Sequence, residues 1–110
     1  MTAATPTDAQ TAPEQPTATA PTAAAAQLTP RQALEKLQAG NLRFVEGTSE
    51  HPNQNASRRE SLTQSQNPFA TIFGCSDSRV AAEIIFDLGL GDTFVVRTAG
   101  QVIDDAVIGT

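Results

Sequence analysis

Apolar positions fall unevenly along this chain, and their spacing divides it into three parts. After Met1, residues up to Gln27 contain no aliphatic side chain larger than alanine; Ala, Thr, Pro and Gln make up nearly all of the segment, with Asp8 and Glu14 its charged members. Such a stretch cannot bury enough apolar surface to offset its backbone entropy, so residues 1–27 are expected to be a disordered tail. It has neither Lys nor Arg and only the short, weak run Ala23 to Ala26, which is not the pattern of a secretory signal. No segment approaches the length of a membrane-spanning helix.

From Leu28 onward the pattern changes. Thr29-Pro30-Arg31-Gln32 has capping-box spacing with proline at the first helical position, and Ala33, Leu34 and Leu37 follow at helical intervals. Gly40-Asn41 interrupts that face before Leu42, Phe44 and Val45 resume it, which predicts two short helices meeting at the glycine. A polar loop from Thr48 to Asn55 carries His51-Pro52, and Ser57-Arg58-Arg59-Glu60 reads as a second capping box for a helix reaching about Gln64.

Asn67-Pro68 forces an extended entry into Phe69 to Gly74, whose unbroken apolar character suits a parallel strand covered on both faces. Val80, Ala81, Ala82, Ile84, Ile85 and Phe86 predict a largely buried helix ended by Gly89, and Thr93 to Arg97 a second strand. Strand, helix and strand in that order form a βαβ unit. Asp104 or Asp105 is expected to cap a final helix entering at Ala106. The expected fold is therefore α/β: one partial domain over 28–110, with a helical arm at 28–66 and the βαβ part of a central, mainly parallel sheet at 67–110. There is no internal repeat and no glycine-rich phosphate loop.

The net charge is −5, with two of the negative charges in the tail and no basic stripe interleaved with aromatics, which argues against a nucleic-acid partner. A single cysteine excludes an intramolecular disulfide and fits a reducing, cytoplasmic setting. Cys75 is then a buried small residue, a reactive thiol or a metal ligand.

Its neighbours sharpen that choice. Cys75-Ser76-Asp77-Ser78-Arg79 places a thiol, a carboxylate and a guanidinium at the carboxyl end of the first predicted strand, where open α/β sheets keep their chemistry. A thiolate there, near Arg79 and the start of the predicted helix, would have its charge stabilised. Asp77 could reach the same ion or a water on it, and Arg79 could grip that carboxylate with a bidentate fork. Taken alone, the pattern also fits a buried cysteine, a helix-capping Asp77 or Ser78, and a surface arginine.

Gly74-Cys75-Ser76-Asp77-Ser78-Arg79-Val80, followed by Val95-Val96-Arg97-Thr98-Ala99-Gly100, closely resembles the β-class carbonic anhydrases, and Gly40-Asn41-Leu42-Arg43-Phe44 is similar to that family's amino-terminal helical arm. The resemblance runs from about Leu28 to Thr110. It implies zinc as cofactor, with Cys75 the first ligand and Asp77 and Arg79 the family's catalytic dyad. Asp77 either takes the fourth metal position in a closed state or is held by Arg79 and accepts a hydrogen bond from the metal's water in an open one. Gln66 matches a glutamine that borders the substrate pocket across the dimer contact. The implied reaction is reversible hydration of carbon dioxide to bicarbonate, in a homodimer or higher even oligomer.

Two further ligands of the family come from a His-x-x-Cys motif that this sequence does not contain, and His51, upstream of the strand, reads as a loop residue rather than a substitute. Thr98 and Gln101 also depart from the commoner Arg-Asn-Ala-Gly-Asn pattern. The expectation is a partial enzyme sequence with an incomplete zinc site, inactive or nearly so by itself. A short paralogue acting as a subunit-pairing module, and a lone-thiol redox or sulfur-transfer protein, are the alternatives.

Overall fold

The computed structural model describes residues 27–110. The expected disordered tail lies outside them apart from Gln27. Helix α1 spans Pro30–Glu46, α2 Ala56–Ser61, strand β1 Ala70–Cys75, α3 Ala82–Ile85, β2 Thr93–Thr98 and α4 Asp105–Gly109, with 3-10 turns at Ser78–Val80 and Ala99–Gln101.

The cap of α1 is the one its sequence spells. Gln32 N donates to Thr29 Oγ1 at 3.1 Å, and Thr29 N donates to Gln32 Oε1 at 2.9 Å, while Gly47 ends the helix in the left-handed conformation. The expected break at Gly40-Asn41 is absent, and α1 runs unbroken for 17 residues. The glycine serves a close approach instead: a Cβ at Gly40 would stand 1.8 Å from the carbonyl oxygen of Phe86. Beside it, Asn41 Nδ2 donates to the Ile85 carbonyl at 2.9 Å, so this pair docks the arm onto α3.

Helix α2 starts two residues earlier than its sequence suggested. Asn55, rather than Ser57, is the cap, its Oδ1 accepting from Arg58 N at 2.8 Å.

Strands β1 and β2 form a two-stranded parallel sheet in which Ala70 faces Thr93 and Cys75 faces Thr98. This is an α/β arrangement, with the helical arm ahead of the sheet. Both strands are half-buried rather than covered on both faces, and Thr71 and Phe94 are exposed. The helix between them also differs from expectation. Ala81 adopts an extended conformation, which separates the 3-10 turn from a four-residue α3 and leaves Ile84 61% exposed. Among the described residues the buried apolar set is small, comprising Ala33, Ala82 and Leu88, and it lies where α1 crosses α3 and the turn after it.

That turn is held by buried carboxylates. Asp87 accepts from Arg43 Nε at 2.6 Å and from the amides of Glu50 and His51 at 2.9 Å each. Asp92 accepts from Gly89 N at 2.8 Å and from Asn53 Nδ2 at 2.9 Å, with Arg58 Nη2 at 3.5 Å. Both therefore tie the 48–55 loop and the arm to the connection between α3 and β2.

Candidate metal centre

The carboxyl ends of β1 and β2 lie side by side, and the chain leaving each strand turns toward the other. Ser76 N donates to the Thr98 carbonyl at 2.9 Å, one step beyond the paired residues. Just after it, Asp77 N points back at Cys75 Sγ at 3.4 Å, and from the β2 side Gly100 N approaches the same sulfur at 3.3 Å. Gly100 achieves this with φ of 63°, a left-handed conformation that costs glycine little.

These donors bias the thiol toward its ionised form. Hydrogen bonds from the amide of Asp77 first, then that of Gly100, hold the Cys75 thiol below the usual cysteine range, against burial and the nearby Asp77 charge. From sequence, Arg79 and a helix terminus are the expected stabilisers. With three residues in the 3-10 turn and four in α3, the loop amides take that part.

Asp77 and Arg79 meet as expected. Arg79 Nε donates to Asp77 Oδ1 at 3.1 Å and Arg79 Nη2 to Oδ2 at 2.7 Å, a two-toothed grip. Asp77 Oδ1 also accepts from Arg79 N at 2.8 Å, so the capping reading and the fork reading of this aspartate hold together. The Arg79 side chain is chiefly what lowers the Asp77 pKa, and the same bond raises that of Arg79.

The other residues singled out by sequence lie elsewhere. Gln66 is exposed in the loop before Pro68, at the opposite end of β1 from Cys75. His51 sits in the loop after α1 with its amide on Asp87. Sequence reasoning missed Arg97 as an individual: its Nε donates to the Cys75 carbonyl at 2.8 Å and its Nη2 to the Asp77 carbonyl at 2.6 Å. An arginine inside an apolar strand was the available signal.

A family model described as carbonic anhydrase matches residues 70–110. A carbonic anhydrase of Mycolicibacterium smegmatis is 63% identical over 81 residues, covering 74% of this chain and 39% of that protein. Carbonic anhydrase 2 of Mycobacterium tuberculosis is 60% identical over the same length, with the same coverage. Beta carbonic anhydrase 3 of Arabidopsis thaliana is 34% identical over 71 residues, 64% of this chain and 26% of the plant protein. The chain belongs to the β-class carbonic anhydrases. It spans about two fifths of the length of the mycobacterial relatives.

As a zinc centre in this β-class carbonic anhydrase sequence, the residues fit in kind. A thiolate and a carboxylate are ordinary zinc donors, and the backbone amides of Asp77 and Gly100 hold the Cys75 thiol below its usual range. Among the described residues no group of three or more His, Cys, Asp or Glu converges. Among the same residues, no helix is long and apolar enough to cross a membrane.

Proposed function

We propose that residues 28–110 supply the first thiolate and the aspartate–arginine pair of a zinc centre that hydrates carbon dioxide reversibly to bicarbonate. The observation that carries this reading is the Arg79 fork closed on Asp77 beside a Cys75 sulfur that faces two backbone amides. Zinc, when bound, supplies the Lewis acidity that brings a water's pKa from about 16 to about 7.

The chain's own residues divide the remaining work. Cys75 offers the sulfur donor, its deprotonation favoured by the amides of Asp77 and Gly100. Asp77, kept ionised by Arg79, is an acceptor with a third of its side chain exposed, suited to orient a water by accepting its proton in a hydrogen bond. Arg79 decides where that carboxylate sits: engaged, it holds Asp77 as the orienting acceptor, and released, it frees Asp77 to become a donor to the metal. Gln66, in the loop ahead of β1, serves the pocket of a neighbouring subunit in this reading.

Cys75 and Asp77 are two donors where zinc takes four, so the 110-residue chain alone binds zinc weakly and hydrates little carbon dioxide. A homodimer or higher even oligomer is supported by α1, which exposes Leu34, Leu42, Phe44 and Val45. The same exposed residues favour, as a second reading, a short paralogue that pairs with intact subunits, which co-purification with such a subunit would reveal. The single unpaired thiol suits the cytoplasm.

Stopped-flow measurement of carbon dioxide hydration by a β-class carbonic anhydrase subunit carrying this segment tests the proposal. Zinc-dependent turnover that falls about 100-fold in Asp77→Asn is expected. A zinc-loaded subunit without hydratase activity would overturn it.

A further inference from the structure

We propose that Arg97 is a positioning residue for this centre: its guanidinium clamps the carbonyls of Cys75 and Asp77 and so fixes the turn that aims the sulfur and the carboxylate. The inference rests on the function proposed above for its zinc consequence, but its geometric part stands on the chain alone.

Cys75 closes the strand ladder, Ser76 and Asp77 run on beyond it, and each of the three has a partner on β2. Arg97 Nε holds the Cys75 carbonyl at 2.8 Å, Thr98 O receives Ser76 N at 2.9 Å, and Arg97 Nη2 holds the Asp77 carbonyl at 2.6 Å. Nε and Nη2 lie on one edge of a rigid plane, so gripping two carbonyls two residues apart fixes the curvature of the backbone between them. That curvature is what turns Asp77 N back toward Cys75 Sγ.

Arg97 also lies close in sequence to the second donor on the sulfur. It sits on β2 three residues before Gly100, whose amide meets Cys75 Sγ, so the segment carrying that amide starts from the strand that bears the clamp. Its charge further favours the ionised form of Asp77. Arg79 and Arg97 thus hold different parts of the same residue, the first its carboxylate and the second its carbonyl.

A lysine can replace the charge but not the planar two-donor edge. Arg97→Lys and Arg97→Met in the 110-residue chain, followed by 15N relaxation, give the geometric test. Amide order parameters at Asp77 and Gly100 are expected to fall from about 0.85 to below about 0.6 in both variants, with those of α1 unchanged. Unchanged order at the site, or a loss spread evenly over α1 and the sheet in both variants, would overturn the proposal.

Zinc affinity of a β-class carbonic anhydrase subunit carrying this segment gives the second readout, with a loss of about 10- to 100-fold expected for Arg97→Lys. Wild-type affinity in that variant would also overturn it. A wild-type subunit that takes no zinc would instead defeat the proposed function, while the order parameters still judge the clamp.

Discussion

Arg43 and Asp87 meet at 2.6 Å between Nε and Oδ2, joining the arm helix to the turn that follows α3. The Asp87 side chain is 1% exposed and that of Arg43 29%. Burial pushes the Asp87 carboxyl up, but the Glu50 amide, Arg43 and the His51 amide outweigh it and bring the pKa down to about 2. The folded value thus lies below the unfolded value of about 3.9, so the stabilisation is complete above about pH 4 and is lost as pH falls through about 2. Urea midpoints between pH 6 and pH 2 should fall steeply for the wild type and less steeply for Asp87→Asn. Parallel curves would contradict this. At pH 7, Arg43→Ala should cost on the order of 3 kcal/mol by leaving a buried charge without its counter-ion.

Much of this frame was legible in the sequence, and the reasons it was not all legible are physical. The Thr29 capping box, the two strands and the Asp104 cap depend on local chemistry, and they stand within a residue or so of where the pattern placed them. Gly40 misled because glycine reads locally as a helix breaker, whereas its role is set by Phe86, far along the chain. The expected Val80–Phe86 helix was shortened by an extended Ala81, which no apolar periodicity announces. At the site, the Asp77–Arg79 contact is allowed by the two-residue spacing and singled out by the family resemblance. The Arg97 clamp and the Gly100 amide depend on β2 lying beside β1 in a particular register.

Gly40→Ala tests the close approach. Alanine would favour an isolated helix by about 1 kcal/mol. Here its Cβ would meet backbone rather than a movable side chain, so thermal unfolding should show a net loss of stability. A gain would mean that α1 and the Phe86 carbonyl are not in contact.

Gln101 offers the opposite kind of test. It holds φ of 58° in the segment that carries the Gly100 amide to the sulfur, a conformation costing most side chains about 1–2 kcal/mol. Gln101→Gly or Gln101→Asn should therefore raise stability by some tenths of a kcal/mol to about 1 kcal/mol without disturbing the Gly100 to Cys75 hydrogen bond. A chemical-denaturation series would show it, and a clear loss in both variants would contradict it.

Releasing Asp77 should be visible without any metal. Because the Arg79 side chain is the main cause of its lowered pKa, Arg79→Gln should move the Asp77 carboxyl titration upward. A carbon-detected NMR titration of the aspartates in the 110-residue chain would follow this. An unmoved Asp77 curve would mean that the fork is not closed in solution.

Zinc titrated calorimetrically into the 110-residue chain and into Cys75→Ser puts the central claim to its most direct test. The account predicts weak binding by the wild type, far short of a closed four-donor site, and its loss when the sulfur is replaced. Zinc bound tightly at one ion per chain, or bound equally well without the sulfur, would contradict it.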